Sequence, residues 1–516
     1  MTFGSGQRLR SWRWAVWLVF ALAAAVFWCA YGHAPIEDWR QTDTQAIARH
    51  MAEPGSSILY PRIDWGGAGK GYVEAEFQLY TWLVSLLLRA FGDVEWPGRL
   101  VSLLATLGTL GVVFVGLARR YGELPALFGT VVLLASRGVI YTATSVQPEA
   151  LCLLLFASAW FAWLEFEELG SRRALIAYGL LGGLAMLVKP TACQLGVASF
   201  LLLVLRSRPR LRDKAAWLVW WLMLAALGLH LWHARSIYLE FGNTFGVLSG
   251  GDSKLPRLEH LLRPRLYLEA AKRLVLWGTG TVGALALAIA LLRKRERPLL
   301  LALLASNVLW TLLALRYTTD QAGNHYHLLA SVTSAHAAAI VAQLATESNH
   351  RKPWLAAFGS LCLCGLTLTI RFFDLTHVDP WNAPALEAGN ALRSVSHPGD
   401  LVIVRSVQSD YDPVWHTANN FQDPRVFYYT RTHGWPLSAD DFDPRSVAIP
   451  AAKGARFYVE TIPRFPAARL DSWLAANATE VRRTAHGCRV FALAKTGTAK
   501  TEAEQAEQAE QAEQDR

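Results

Sequence analysis

The chain has 516 residues, of which 53% are hydrophobic and only 18% are charged, whereas about 25% of the residues in soluble domains are charged. This composition excludes an ordinary soluble protein and indicates a membrane protein. The formal net charge of +9 does not indicate a nucleic-acid partner, because the arginines lie in short clusters between apolar runs, as they do in membrane proteins.

Apolar runs of about 17 to 25 residues can cross a hydrocarbon core of about 30 Å as helices. The first run follows Arg8, Arg10 and Arg13 and is interpreted as an uncleaved span, because it is rich in Trp and no clear cleavage site follows it. In chain order the predicted spans are Trp14 to Ala30, Pro97 to Ala118, Leu124 to Ser136, Ala150 to Leu164, Ala174 to Val188, Ala192 to Leu205, Ala215 to Trp232, Ala270 to Leu292, Pro298 to Leu315, Tyr326 to Ala345 and Pro353 to Phe372.

The run Phe77 to Phe91 decides the topology, since counting it as a span moves every later loop to the other side of the membrane. If it does not cross, five basic clusters share the side of the amino terminus: Arg119-Arg120, Arg172-Arg173, Arg206 to Lys214, Arg293 to Arg295 and Arg351-Lys352. The positive-inside bias therefore predicts an interfacial or re-entrant helix at Phe77 to Phe91 and about eleven spans. The amino terminus is then cytoplasmic, and the carboxyl-terminal region is external.

Beyond Phe372 the sequence becomes that of a soluble domain. Strands are predicted at Leu401 to Val404, Arg456 to Val459 and Arg489 to Leu493, and helices at Pro384 to Val395 and Ala467 to Ala476. The predicted fold class is an all-α multi-pass membrane domain followed by a small external α/β domain. The boundaries are 1–372 for the membrane domain with its external loop 31–96, 373–497 for the external domain, and 498–516 for a disordered tail.

Charge is concentrated in the stretch Glu37 to Trp82, the first polar segment after an apolar run. Its three distinctive pieces are Trp39-Arg40-Gln41-Thr42-Asp43-Thr44, Asp64-Trp65-Gly66-Gly67 and Glu76-Phe77-Gln78-Leu79-Tyr80. These pieces resemble the first external loop of polyprenyl-phosphate-sugar-dependent glycosyltransferases of family 39, which includes protein O-mannosyltransferases and the similar lipid A aminoarabinose transferases. The resemblance implies the class C fold. It also implies a catalytic aspartate early in this loop, and Asp43 matches it by position.

Spacing alone leaves a second interpretation of Asp43 open, because Thr42-Asp43-Thr44 precedes a helical pattern and fits a helix N-cap. Glu76 is the second candidate catalytic residue, and Arg40 and Glu74 are candidate substrate contacts. Either glutamate could orient the acceptor or hold a divalent metal, and Asp43 and Glu76 are the possible metal ligands. The alternative for both glutamates is an ion pair with Arg40, Arg62 or Lys70.

Further candidate substrate contacts lie at predicted span ends. Glu149, in Gln147-Pro148-Glu149, stands where the family usually places a Pro-Asp pair, and a first-turn acid favoured by the helix dipole is the alternative. Lys189 resembles the lysine that ends a family helix and could neutralise the carrier phosphate, with snorkelling as the alternative. Arg316, His325 and Tyr326 resemble the family's entry to a later span, and an arginine fork and an imidazole N–H both match phosphate oxygens.

The sequence therefore predicts a glycosyltransferase of the inner (plasma) membrane. It would transfer a sugar from a polyprenyl-phosphate carrier to a lipid, glycan or protein acceptor on the external, periplasmic face, with inversion. A divalent metal is a possible cofactor. A transporter or flippase for a lipid-linked saccharide is the alternative, although such proteins tend to carry ionisable residues inside their spans. An anchored binding protein would need only one span.

Overall fold

The computed structural model describes residues 36, 38–249, 256–319, 324–348, 351–372, 382–461 and 468–494, together with residues 17, 20, 21, 23–25, 27 and 28. Most of the first predicted span and the whole predicted tail lie outside the described residues. The chain divides into two compact units. The first comprises Met1–Ala34, Val94–Leu231 and Lys254–Thr376, and the second comprises Pro35–Asp93, Trp232–Ser253 and His377–Arg516.

In chain order, the α-helices are α1 Trp39–Ala52, α2 Leu79–Phe91, α3 Trp96–Tyr121, α4 Glu123–Leu134, α5 Arg137–Thr144, α6 Glu149–Leu169, α7 Arg172–Val188, α8 Gln194–Arg206, α9 Lys214–Phe241, α10 Leu258–Leu261, α11 Pro264–Arg273, α12 Thr281–Leu292, α13 Arg297–Leu313, α14 Leu315–Thr319, α15 Ala330–Glu347, α16 Arg351–Phe372, α17 Ala383–Arg393, α18 Arg425–Thr430, α19 Arg445–Ala452 and α20 Ala468–Asn477. Short 3-10 helices occupy Pro190–Cys193, Arg208–Arg212 and Asn324–His327, and a π-helical turn occupies Leu274–Thr279. The strands are β1 Leu401–Arg405, β2 Tyr411–Asp412, β3 Thr417–Ala418, β4 His433–Leu437, β5 Phe457–Glu460, β6 Ala478–Arg483 and β7 Arg489–Leu493.

Several helices are suited to a membrane by length and composition. Within the described residues, α3, α6 and α9 are long and apolar enough to cross one, and two bent helix pairs raise the number of such spans to at most five. Shorter apolar helices include α2, α13 and the segment Pro190–Arg206. A mostly helical fold with membrane-type helices is thus confirmed, and the number of about eleven spans stays a prediction.

The two bent pairs meet at their breaks. Helices α4 and α5 are bent by 69° around Ser136, and Pro264–Thr279 is bent by 98° from α12 at Gly280. The Ser136 hydroxyl lies 2.8 Å from the carbonyl oxygen of Trp277 and 2.9 Å from that of Gly278. The side chain at the first break thus helps to satisfy backbone carbonyls next to the second, as the interior of a bilayer requires. The predicted continuous span Ala270 to Leu292 is wrong in this respect, because Gly280 adopts φ 68° and ends the helix there.

Helix α2 has two different faces. Tyr80, Val84 and Leu88 are buried, whereas Trp82 and Leu86 on the opposite side are exposed. Its 13 residues extend about 20 Å, which is too short for a hydrocarbon core of about 30 Å. The length and the exposed apolar face favour the predicted interfacial helix over a span.

The second unit contains a five-stranded sheet with the order β4-β1-β5-β7-β6. Strands β4, β1 and β5 are parallel, and β7 runs antiparallel to both of its neighbours. The predicted strands at β1, β5 and β7 and the predicted helices at α17 and α20 are present, each within two residues of its predicted start. Strands β4 and β6 were not predicted.

One face of this sheet shares a hydrophobic core with the first polar segment of the chain. Val402 and Val459 of the sheet pack in one cluster with Ile47, Ile63 and Trp65. The other face has a separate core that includes Ile403, Tyr458 and Phe491. The loop that contains Asp43 is therefore held by the C-terminal sheet.

Gly434 joins this loop to the sheet. Its N–H donates to the carbonyl oxygen of Asp64 at 2.9 Å, and its own carbonyl accepts from the N–H of Gly67 at 2.7 Å. A Cβ added to Gly434 would lie 1.9 Å from the carbonyl oxygen of Val402. No side-chain rotation can relieve a clash between two backbones.

We therefore expect Gly434→Ala to lower the stability of the second unit by about 3 kcal/mol or more. Thermal unfolding of the full chain in detergent measures this loss. Gly69→Ala is the matched control, because its Cβ would meet no atom closer than 3.6 Å. Equal melting temperatures for the two variants would contradict the prediction.

Candidate active site

Asp43 lies in the second turn of α1. The helix begins at Trp39 and is capped by Asp38, whose Oδ1 accepts from the N–H groups of Arg40 at 3.0 Å and Gln41 at 3.2 Å. The interpretation of Asp43 as the N-cap is therefore wrong, since the N-cap is Asp38, five residues earlier. The Asp43 side chain is therefore not used to cap this helix.

The Asp43 carboxylate is held by one strong donor. The indole N–H of Trp65 donates to its Oδ1 at 2.9 Å, and both residues are buried. Trp65 is itself fixed by an edge-to-face contact with Phe245, with ring centroids 5.7 Å apart. Within the described residues, the other oxygen of Asp43, Oδ2, accepts no hydrogen bond.

The surroundings of Asp43 make it a poor acid and a good base. Burial raises the pKa of its carboxyl well above the ordinary value of 3.8, the Trp65 hydrogen bond lowers it, and the negative charges of Asp64 and Asp423 raise it further. The positive charge of Arg40, three positions earlier on α1, opposes them. Arg40, which was predicted to contact the substrate, thus lies near the predicted catalytic residue.

His50 connects Asp64 to the end of α1. Its Nε2 lies 2.7 Å from Oδ1 of Asp64, and its Nδ1 lies 3.0 Å from Oε1 of Glu53. Burial alone would lower the pKa of His50, but the hydrogen bonds and charges of Asp64 and Glu53 raise it to about 9. The imidazole is therefore cationic at neutral pH and balances Asp64, whose Oδ2 accepts no hydrogen bond in the described structure.

A pKa raised from 6.5 to about 9 means that the folded state binds the His50 proton more tightly than the unfolded chain does. This stabilisation is complete below pH 6.5 and is lost as the pH rises through 9, with a size of about 2 to 3 kcal/mol. We expect the melting temperature of the native chain to fall more between pH 7 and 9.5 than that of His50→Gln. Parallel pH profiles for the two proteins would refute this assignment.

Glu74 is fully buried, and both of its carboxylate oxygens accept hydrogen bonds. Oε2 accepts from the hydroxyl of Thr244 at 2.7 Å, and Oε1 accepts from the N–H of Leu248 at 2.8 Å. Glu74 thereby links the first external loop to the segment that follows α9. Its predicted role in substrate binding stays a prediction, and the described contacts give it a structural role.

Glu76 is partly buried, and its carbonyl accepts from the side-chain amide of Gln78 at 2.7 Å. Arg62, one of the predicted ion-pair partners of the two glutamates, instead pairs with Glu53 at 2.8 Å. No group of three or more His, Cys, Asp or Glu side chains suited to a metal occurs in the described part of the chain. Metal binding by Asp43 and Glu76 stays a prediction.

In the first unit, the structure brings together two residues that were predicted separately. Glu149 begins α6, and Lys189 follows the end of α7, so these consecutive helices place both at one end of the pair. Lys189 Nζ lies 3.4 Å from Oε1 of Glu149, and both side chains are about 95% buried, at 5% and 4% exposure. A buried lysine beside a buried carboxylate is rare in a membrane protein and is usually functional.

The third group of predicted contacts lies around α14. Arg316 is buried, and its guanidinium lies 5.5 Å from the ring centroid of Tyr317. Tyr317 in turn packs on Tyr326, with ring centroids 5.4 Å apart, so Arg316 and Tyr326 flank the same ring. His325 belongs to the 3-10 helix Asn324–His327, and its side chain lies outside the described part of the structure.

Sequence reasoning missed Trp65 and His50, the residues that orient Asp43 and balance Asp64. The sequence indicated Asp64-Trp65-Gly66-Gly67 as a turn that shapes the loop rather than as a ligand. Trp65 lies 22 positions after Asp43, so its hydrogen bond to Asp43 leaves no periodic pattern in the sequence. The one available clue was the number of carboxylates in the stretch, since buried acids need donors and cations nearby.

One segment of the chain matches a known protein family. Residues 78–233 match the family model described as dolichyl-phosphate-mannose-protein mannosyltransferase. No curated protein sequence matches the chain.

The fold is similar to those of solved membrane proteins. ArnT from Cupriavidus metallidurans bound to undecaprenyl phosphate matches with a TM-score of 0.60 and 15% identity, over 95% of this chain and 99% of ArnT. The same protein in its apo state matches with a TM-score of 0.61 and 17% identity, over 94% of this chain and 99% of ArnT. The Archaeoglobus fulgidus oligosaccharyltransferase in complex with Zn and sulfate matches with a TM-score of 0.53 and 9% identity, over 92% of this chain and 73% of its own.

The predicted family resemblance is therefore confirmed: residues 78–233 match the mannosyltransferase family model, and the fold of the chain is similar to that of ArnT.

Proposed function

We propose that the chain transfers a sugar from a polyprenyl-phosphate carrier to an acceptor hydroxyl on the external face of the plasma membrane, with inversion at the anomeric carbon. The observation that carries this proposal is the buried Asp43 carboxylate, which the Trp65 indole holds through one oxygen only. The similar ArnT binds undecaprenyl phosphate, and this supports a carrier of the same chemical class.

The chemistry needs one carboxylate on the acceptor side of the sugar. The acceptor oxygen forms a bond to the anomeric carbon while the bond from that carbon to the phosphate oxygen breaks. The acceptor proton passes to Oδ2 of Asp43, and the carrier phosphate leaves with the electron pair. Because burial raises the pKa of Asp43, its ionised form is a stronger base than an exposed aspartate.

Cationic and hydrogen-bonding side chains would hold the departing phosphate. Lys189, Arg316, His325 and Tyr326 are the candidates, because an ammonium, a guanidinium, an imidazole and a phenol can all donate to phosphate oxygens. Glu149 would keep the Lys189 ammonium in position. Glu76 would orient the acceptor or contribute to a metal site.

A reconstituted assay tests the reaction. The full chain in proteoliposomes receives a polyprenyl-phosphate sugar labelled in the sugar, together with envelope lipid, glycan or protein fractions as acceptors. We expect label in an acceptor and stoichiometric free polyprenyl phosphate. Movement of intact carrier-linked sugar across the bilayer, without cleavage, would instead identify the transporter.

The predicted topology places the Asp43 loop outside and the basic clusters inside. We expect Ser57→Cys, at an exposed position of this loop, to react with an impermeant thiol reagent in intact cells. Arg293→Cys, at an exposed position after α12, should react only after lysis. The reverse pattern would refute the proposed face of the reaction.

A further inference from the structure

A second charged site lies in the first unit, at the opposite end of α6 from Glu149. Here the end of α6, the start of α7, the end of α8 and the start of α9 surround an open pocket of about 950 Å³. Its cationic lining residues are Arg172, Arg206, Arg210, Arg212 and Lys214. From Glu149 to Glu167 the helix rises about 27 Å, so this pocket is remote from the Glu149–Lys189 pair.

Two carboxylates also line the pocket, and both are already engaged. Asp213 accepts from Arg172 through both of its oxygens, each at 2.9 Å. Glu167 accepts from the hydroxyl of Ser207, and Arg206 lies 3.7 Å from it. These contacts leave Arg210, Arg212 and Lys214 without a carboxylate partner among the described residues.

Arg210 and Arg212 of the pocket belong to one short segment. The 3-10 helix Arg208–Arg212 connects α8 and α9 across the pocket. Arg210 donates from Nε to the carbonyl oxygen of Glu167 at 2.8 Å, and its guanidinium lies 5.4 Å from the ring centroid of Phe166. A cation fixed in this way can bind an anion with little loss of side-chain entropy.

The surface beside the pocket is apolar and rich in tryptophan. The exposed fractions of Leu218, Trp221 and Leu222 on α9 are 58%, 66% and 59%, directly after the cationic residues. Trp217 is also exposed, and its indole N–H donates to the carbonyl oxygen of Leu211 at 2.8 Å. Tryptophan is enriched where a membrane helix passes from hydrocarbon to head groups, and this pattern indicates head-group depth for the pocket.

We propose that this pocket binds the phosphate head group of an anionic phospholipid. Arg210, Arg212 and Lys214 contact the phosphate, and the acyl chains lie along Trp217 to Leu222. Unpaired cations between helices at head-group depth are the chemistry by which membrane proteins hold such lipids. The site differs from the proposed donor site, because it lies at the other end of α6 and α7.

Thermal stabilisation of the full chain in detergent tests the proposal. We expect phosphatidylglycerol to raise the melting temperature in a saturable manner, and phosphatidylcholine to have no such effect. The triple variant Arg210→Gln/Arg212→Gln/Lys214→Gln should need on the order of 100-fold more phosphatidylglycerol for half of the effect. Arg119→Gln/Arg293→Gln/Lys294→Gln loses the same charge at exposed positions elsewhere in the unit and should respond as the native chain does.

An unchanged response of the pocket variant would overturn the proposal, and so would equal stabilisation by inorganic phosphate at the same concentration, which would identify a free-anion site. Should the triple variant not be obtained folded, Arg212→Gln and Lys214→Gln are measured singly. Raising NaCl from about 0.05 to 0.5 M should also weaken the effect on the native chain. Insensitivity to salt would exclude a charge-based site.

Discussion

Asp43→Asn should reduce sugar transfer by roughly 10²- to 10⁴-fold, the usual contribution of a positioned general base. The asparagine side chain has nearly the same shape, and its oxygen can still accept from the Trp65 indole, but it cannot take the acceptor proton. The fold should tolerate the change, because burial penalises the charged form of Asp43. The measurement is transfer of labelled sugar by the reconstituted chain, with the melting temperature recorded in parallel.

Asp93→Asn is the matched control, because it neutralises another acid of the same unit that pairs with Arg49. It should change transfer less than twofold.

Trp65→Phe keeps an aromatic ring against Phe245 but removes the donor that lowers the pKa of Asp43. Since the base must be ionised, the acidic limb of the rate profile should move to higher pH. Full activity of Asp43→Asn would end the proposed mechanism.

Lys189→Met should destabilise the first unit strongly, by about 3 to 5 kcal/mol, because it removes the cation beside the buried Glu149 carboxylate. It should also abolish transfer if the ammonium neutralises the carrier phosphate. Melting temperature and transfer rate are measured together for Lys189→Met, Glu149→Gln and the double variant.

The double variant separates the two roles of Lys189. Replacing both partners removes the uncompensated charge, so stability should return toward the native value. Transfer should remain lost, because the phosphate still lacks its cation. A double variant that is both stable and active would show that the pair only supports the fold.

The parts of the fold that the sequence predicted are those with local signals. Strands β1, β5 and β7 are short apolar runs with β-branched or aromatic residues, and α17 and α20 have helical spacing. Strand β4 contains Gly434 and Pro436, which disfavour strands, and it exists because β1 and the turn at Asp64 pair with it. Strand β6 is largely exposed, so no alternation of apolar residues marks it.

The sequence could predict candidate residues for the site but not the contacts between them. The family resemblance indicated Asp43, Glu149 and Lys189 as candidates, and the scarcity of charge in this chain drew attention to the segment that contains Asp43. To predict the contact between Glu149 and Lys189, one would need to know how α6 and α7 align. To predict the contact between Asp43 and Trp65, one would need to know the fold of a long loop. The burial of Glu74 likewise depends on residues about 170 positions away.

The meeting of the two helix breaks has a consequence for how the protein is made. Ser136 and Trp277 are 141 positions apart, so a ribosome adding 5 to 20 residues per second needs roughly 7 to 28 seconds between them. During this interval the Ser136 side chain lacks the carbonyls that it later contacts. The order of synthesis therefore makes this junction a late step of assembly, after α6 to α9 have been synthesised.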